Sequence, residues 1–188
     1  MFRAAFLDRD GVINRKAPEG KYITRWEEMV FLPGVVAAII SLRQAGYRII
    51  VISNQRCVAK GLISAEDLDA LHRKMCETLA AEGAVIDAAY YCPHETHTSC
   101  HCRKPAPGLL LEAASNHQID LNASWMIGDS PSDIEAGRRA GCKTALLRDP
   151  EHEERFPADV VAASLLGATS QILRLRPESV AADSRLGY

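Results

Sequence analysis

No apolar stretch in the 188 residues approaches the roughly 20 needed to cross a bilayer, so no membrane-spanning helix is expected. An excess of one charge is also missing. Against 24 acidic residues stand 22 basic ones, and the net charge of -2 points to neither nucleic acid nor an anionic membrane as a general partner. Any phosphate recognition must therefore be local. Aromatic residues are scarce, at 6%, and form no stacking patch, which argues against a polymer substrate. Internal repeats and low-complexity segments are absent. Asp8, Arg9 and Asp10 interrupt the N-terminus before a signal-peptide core can form, so a cytoplasmic location is expected. What is present suits one compact unit: the chain is 47% apolar and long enough to bury a full core. A single domain is expected over 1–176, with a frayed or loosely docked tail over 177–188 and a monomeric state.

Short apolar runs at 4–7, 48–52, 88–91, 125–127, 144–147 and 159–162 read as strands. Between them, 34–45, 65–82, 107–117, 131–140 and 164–174 carry helical spacing. This alternation implies an α/β fold, a Rossmann-like doubly wound parallel sheet with helices on both faces. Ser64, with Asp67 three residues on, reads as a helix start, and Gly46 and Gly141 read as helix stops. Residues 12–32 are too polar and too broken by Pro and Gly for a long helix, and read as an insertion over the mouth of the sheet.

Such sheets keep their chemistry at the carboxyl ends of the strands. The first run ends in Asp8, Arg9, Asp10 and Gly11. Two acids at i and i+2 can approach one hard cation, and one of them can attack phosphorus as a nucleophile. Asp and Gly are also ordinary turn residues, so the tetrapeptide needs company. The second strand ends in Ser53, Asn54 and Gln55, a hydroxyl and two amides able to donate to a phosphoryl oxygen. Arg103 and Lys104 precede Pro105, which keeps the basic pair in an extended loop. Further on, Gly128 and Asp129 end a strand and Asp133 opens the next helix. Asp129 completes a magnesium site with Asp8 and Asp10; Asp133 is open to holding Lys104, a metal-bound water or the helix N-terminus.

The six cysteines fall into two groups. Cys57, Cys76 and Cys142 are scattered and read as buried apolar fillers, with Trp26 and Trp125 as core or loop anchors. Cys92, Cys100 and Cys102 crowd together with His94, His97 and His101. Three thiolates and one imidazole make a closed, tetrahedral, structural zinc site with no open position for catalysis. Reduced thiols and one metal fit this pattern better than disulfides.

Acid pair, hydroxyl, lysine and second acid pair, in that order over about 4–148, resemble the haloacid-dehalogenase-like phosphatases. The stretch 6–14, the 53–55 turn, Cys92-Pro93-His94 and the block from Cys100 to Pro105 narrow the resemblance to the D-glycero-D-manno-heptose 1,7-bisphosphate 7-phosphatases. Histidinol-phosphate phosphatases are the nearest alternative in pattern; both groups lack a large cap domain. The resemblance implies a Mg²⁺-dependent phosphomonoester hydrolase acting on a small phosphorylated sugar, in heptose supply for lipopolysaccharide or surface-layer glycans. It favours His94 as the fourth zinc ligand, beside Cys92, Cys100 and Cys102 in a loop over 92–102.

By the same resemblance Asp8 is the nucleophile and Asp10 the general acid and base, with Ser53, Lys104 and Asp133 completing the catalytic set. Asp8 must be ionised to attack and Asp10 must carry a proton, so the neighbouring negative charge is expected to raise the Asp10 pKa. Substrate contacts are expected from Asp8, Arg9, Asp10, Ser53, Asn54, Gln55, Arg56, Arg103 and Lys104, with Arg103 reaching the second phosphate. Two departures stand out. Ser130 follows Asp129 where many heptose phosphatases carry a basic residue, and 15–21 differs from the family loop where the sugar should sit. In that segment Lys16, Glu19 and Lys21 either line the site or are surface charges. A binding module that merely holds Mg²⁺ has no need of Asp10, Lys104 and Asp133 beside a complete nucleophile site.

Overall fold

The computed structural model describes residues 1–149 and 156–175; the expected tail at 177–188 lies outside them. Six strands form one parallel sheet: β1 (Arg3–Leu7), β2 (Tyr47–Asn54), β3 (Ala88–Cys92), β4 (Trp125–Gly128), β5 (Lys143–Leu147) and β6 (Val160–Ala162). Five helices connect and cover them: α1 (Val35–Gln44), α2 (Ala65–Ala81), α3 (Gly108–His117), α4 (Pro131–Ala140) and α5 (Leu165–Arg174).

Alternation along each strand feeds two cores. Ala5, Leu7, Ile49, Val51, Trp125 and Ile127 pack against α1, α2 and α5. Their sequence neighbours Ala4, Phe6, Ile50, Ile52 and Met126 pack against α3 and α4 on the other face. Both faces are dry, which is why these strands read as continuous apolar runs rather than alternating ones. Phe6 is fully buried, and its truncation to Ala is expected to cost about 3–5 kcal/mol.

The strand order is β3-β2-β1-β4-β5-β6. From β1 the chain moves outward through β2 and β3, then crosses to β4 on the other side. The order therefore reverses between β1 and β4, and a crevice opens beyond their carboxyl ends.

Helix boundaries follow local chemistry. The Ser64 hydroxyl accepts the Asp67 amide at 3.0 Å and starts α2, while Gly46 and Gly141 take left-handed φ values of 85° and 89° after α1 and α4. Gln118 ends α3 with φ 54° without the usual glycine, so that stop carried no sequence signal. β2 runs to Asn54 because its backbone continues pairing with Tyr91 and Cys92 after the side chains turn polar. The 12–32 segment holds one short 3₁₀ turn at Trp26–Glu28, is pinned by the Arg15 amide on the Val30 carbonyl and buries Ile23 and Met29. Among the described residues there is no cap domain. Cys57 and Cys142 are buried, Cys76 is half-buried, and Trp125 sits in the core; Trp26 meets Phe31 edge-on. All six cysteines are free thiols.

Candidate active site

The crevice contains a cavity of about 160 Å³ lined by Asp8, Asp10, Lys16, Ser53, Asn54, Lys104, Asp129, Ser130, Ser132 and Asp133. Asp8 follows β1 directly, and its amide donates to the Ile127 carbonyl at 3.0 Å, which pins it between β1 and β4. Two glycines let the backbones approach. Gly11 has φ +95°, and a Cβ there would fall 1.9 Å from Asp129 Oδ2; a Cβ on Gly128 would fall 2.1 Å from that of Asp133.

Lys104 is the electrostatic centre. Its buried ammonium donates to the Ile52 carbonyl at 2.7 Å and pairs with Asp8 Oδ1 at 2.9 Å and Asp133 Oδ1 at 2.6 Å. The ammonium is thereby held from three sides. Burial pulls its pKa down, but the Asp133 and Asp8 carboxylates outweigh that and raise it above the ordinary value. Asn54 clamps the backbone here, donating to the Lys104 carbonyl at 3.1 Å and accepting its amide at 3.1 Å. Asp133 serves two of the roles open to it: its other oxygen accepts the Ser130 amide and hydroxyl at 3.0 and 2.6 Å, capping α4.

Burial pushes the Asp8 pKa up to about 7, against Lys104, which lowers it, while Asp133 and Asp10 add to the rise. A carboxylate in this state calls for a further positive charge if it is to stay ionised at neutral pH. Ligand oxygens of Asp8, Asp129 and Asp133 lie within 4.8 Å of one another, and Asp129 Oδ1 is buried without a hydrogen-bond partner. Hard carboxylate oxygens so grouped fit Mg²⁺.

Four expectations meet a different geometry. The Asp10 carboxylate is not in the cation cluster, because its oxygens are taken by Arg9 Nη2 at 2.8 Å, Asn14 Nδ2 at 2.8 Å and Gln55 Nε2 at 2.8 Å. Its pKa is lowered rather than raised: burial acts upward, but the Arg9 charge and those hydrogen bonds prevail. Arg9 does not face the cavity. Its side chain is fully buried and spends its donors on Asp10 and on His72 Nε2, so it is unavailable to a substrate. Gln55 is likewise buried, bridging Asp10 to the Ser53 hydroxyl.

Arg56 and Arg103 lie outside the cavity lining: Arg56 donates to Tyr22 and Thr96, and Arg103 donates to the His94 carbonyl. Lys16 reaches the cavity and pairs with Asp129, whereas Glu19 and Lys21 are exposed. Sequence reasoning missed Asn14 and His72. The signal for His72 was a polar residue at a core position of α2, in step with Leu68, Met75 and Leu79.

Beside the crevice, Cys92, His94, Cys100 and Cys102 bring their donor atoms together, while His97 and His101 stand outside the cluster and are exposed. Cys92 lies 3.2 to 3.8 Å from the other three donor atoms, and His94 Nδ1 lies 3.2 Å from Cys102 Sγ. A tetrahedron of ordinary Zn–S and Zn–N bonds has edges of about 3.5–3.8 Å, so three thiols and an imidazole at these spacings fit zinc.

A HAD-hydrolase-like family model matches residues 101–168. The D-glycero-beta-D-manno-heptose-1,7-bisphosphate 7-phosphatase of Rhodopseudomonas palustris is 43% identical over 145 residues, covering 73% of this chain and 79% of that protein. The chain belongs to this phosphatase family. The alpha-anomer 7-phosphatase of Burkholderia mallei is 41% identical over 152 residues, covering 77% of this chain and 79% of that one. Among solved structures, the D,D-heptose 1,7-bisphosphate phosphatase of B. bronchiseptica, complexed with magnesium and phosphate, superimposes with a TM-score of 0.82 at 32% identity. It covers 92% of this chain and 98% of that one. The chain is accordingly a phosphatase of the haloacid-dehalogenase type.

Proposed function

We propose that this phosphatase removes the 7-phosphate of D-glycero-D-manno-heptose 1,7-bisphosphate through an aspartyl-phosphate on Asp8. The observation that carries the chemistry is the buried Lys104 ammonium joined at once to Asp8 and Asp133 beside a cation-compatible trio of acids. The substrate follows from the names of the relatives. Magnesium, held by Asp8 and Asp129, would offset the charge gathered on the phosphoryl group. Lys104 neutralises the same charge from behind and, with Ser53 and Asn54, orients the phosphoryl oxygens.

Asp8 attacks phosphorus while Asp10 protonates the departing sugar oxygen; Asp10 then takes a proton from the water that cleaves the aspartyl phosphate. The incoming phosphate dianion supplies what the resting site lacks, a negative charge that raises the proton affinity of Asp10. Cys92, His94, Cys100 and Cys102 would hold a zinc ion, which would stiffen the loop that presents Arg103 and Lys104. Arg103 and Arg56 stand nearest in sequence to the site's basic and amide residues and would meet the second phosphate.

One parallel sheet supplies the strand ends that carry the site, which supports one catalytic domain over 1–176, and we take that domain to act as a monomer. Free cysteines at a metal-type cluster support the cytoplasm, where heptose for lipopolysaccharide would be made. The test is ³¹P NMR of both anomers of the bisphosphate with enzyme and Mg²⁺, beside L-histidinol phosphate. Loss of the 7-phosphate with the 1-phosphate retained is expected, and the faster anomer identifies the pathway branch. Turnover of histidinol phosphate alone would overturn the substrate.

A further inference from the structure

Arg9 and His72 are 63 residues apart in sequence and meet in the interior, with Arg9 Nη1 3.1 Å from His72 Nε2. Arginine has donors only, so Nε2 must be the acceptor and the ring proton sits on Nδ1. The other edge of the same guanidinium grips Asp10: Nε to Oδ1 at 3.2 Å, and Nη2 to Oδ1 and Oδ2 at 3.1 and 2.8 Å. A planar fork held at both ends has little freedom to rotate. His72 is itself held by α2 and by the Tyr91 ring, edge-on at 5.3 Å. Its environment keeps it neutral, since burial and the Arg9 charge lower its pKa to about 4.

From this geometry we infer that His72 is a positioning residue for the reaction: its lone pair fixes the plane of Arg9, and Arg9 fixes which edge of the Asp10 carboxylate faces the leaving oxygen. The inference rests on the role of Asp10 proposed above. It gives the buried arginine, whose side chain does not line the cavity, a task in catalysis.

The test compares His72→Phe, which keeps a ring but no acceptor, with His72→Gln, which keeps an acceptor. Each is assayed for kcat/KM on a sugar bisphosphate and on p-nitrophenyl phosphate, whose phenolate departs without a proton. His72→Phe is expected to lose about tenfold or more on the sugar phosphate and under about twofold on the aryl phosphate, and His72→Gln to recover most of the loss. His72→Met replaces the Phe variant if circular dichroism shows that the latter does not fold. Equal losses on both substrates, no loss in a folded acceptor-free variant, or Gln as damaging as Phe would each overturn the inference. Asp10→Asn is run alongside. An inactive Asp10→Asn with an unaffected His72→Phe removes the inference alone, whereas an active Asp10→Asn removes the acid role and the inference with it.

Discussion

The ammonium of Lys16 stands 2.5 Å from Asp129 Oδ2, so a residue of the irregular 12–32 segment neutralises an acid that the cation site needs. Lys16 is about half exposed and Asp129 largely buried, and the lysine can swing away when a divalent ion arrives. The pair therefore competes with metal. Lys16→Met is expected to tighten Mg²⁺ binding by a few-fold, up to about the fivefold equivalent to the 1 kcal/mol that a partly exposed ion pair contributes. Isothermal titration calorimetry at fixed ionic strength measures this. Weaker binding in the variant would make Lys16 a support of the site rather than a competitor.

Protons compete at the same place. With the Asp8 pKa raised to about 7, chiefly by burial, binding Mg²⁺ below that pH must first expel a proton. The dissociation constant is expected to rise by up to about tenfold per pH unit below 7 and to level off above it. Calorimetry between pH 6 and 8, in buffers of different ionisation enthalpy, should also register proton release. A pH-independent affinity would remove Asp8 from the ligand set.

Much of this arrangement was legible in the chain. The six strands are apolar on both faces, so runs such as 48–52 and 125–127 announced themselves, and the acids, serine and lysine at their ends fell where an open sheet collects its chemistry. What stayed hidden depends on contacts between distant segments. Arg9 beside two acids reads as a phosphate binder; only folding brings His72 from α2 to take its outer edge and turns it into scaffold. The expected shift of Asp10 is reversed for a similar reason: a neighbouring Asp8 is visible in sequence while the grip of Arg9, Asn14 and Gln55 is not. Lys16 was one of four charged residues over 15–21, with nothing to say which would reach Asp129.

His72 also makes a stability prediction. Its folded pKa of about 4 lies below the ordinary 6.5, so its contribution is fully present above pH 6.5 and is lost as the pH falls toward 4, where the unfolded chain takes up a proton that the native state refuses. The shift corresponds to about 3 kcal/mol. Urea unfolding of wild type and His72→Gln over this window should show the wild type losing more stability on acidification. Parallel curves would mean that the ring is not held neutral.

Zinc should behave as structure. Metal analysis of the purified protein is expected to give about one zinc per chain, and Cys102→Ser to lose it. Stripping the metal should lower Tm and raise KM more than it lowers the rate of the aryl phosphate, because the loop that carries Arg103 slackens while Asn54 still clamps Lys104 and Asp8 still follows β1. A zinc-free protein with unchanged stability would contradict the site.

Turnover by this site depends on Asp8 forming the bond to phosphorus. Phosphate release from the heptose bisphosphate with saturating Mg²⁺ tests it most directly, comparing wild type with Asp8→Asn under conditions where both show the same circular dichroism. A loss of at least about a thousandfold is expected when a covalent nucleophile is replaced by an amide of the same shape. Substantial turnover by folded Asp8→Asn would contradict that role.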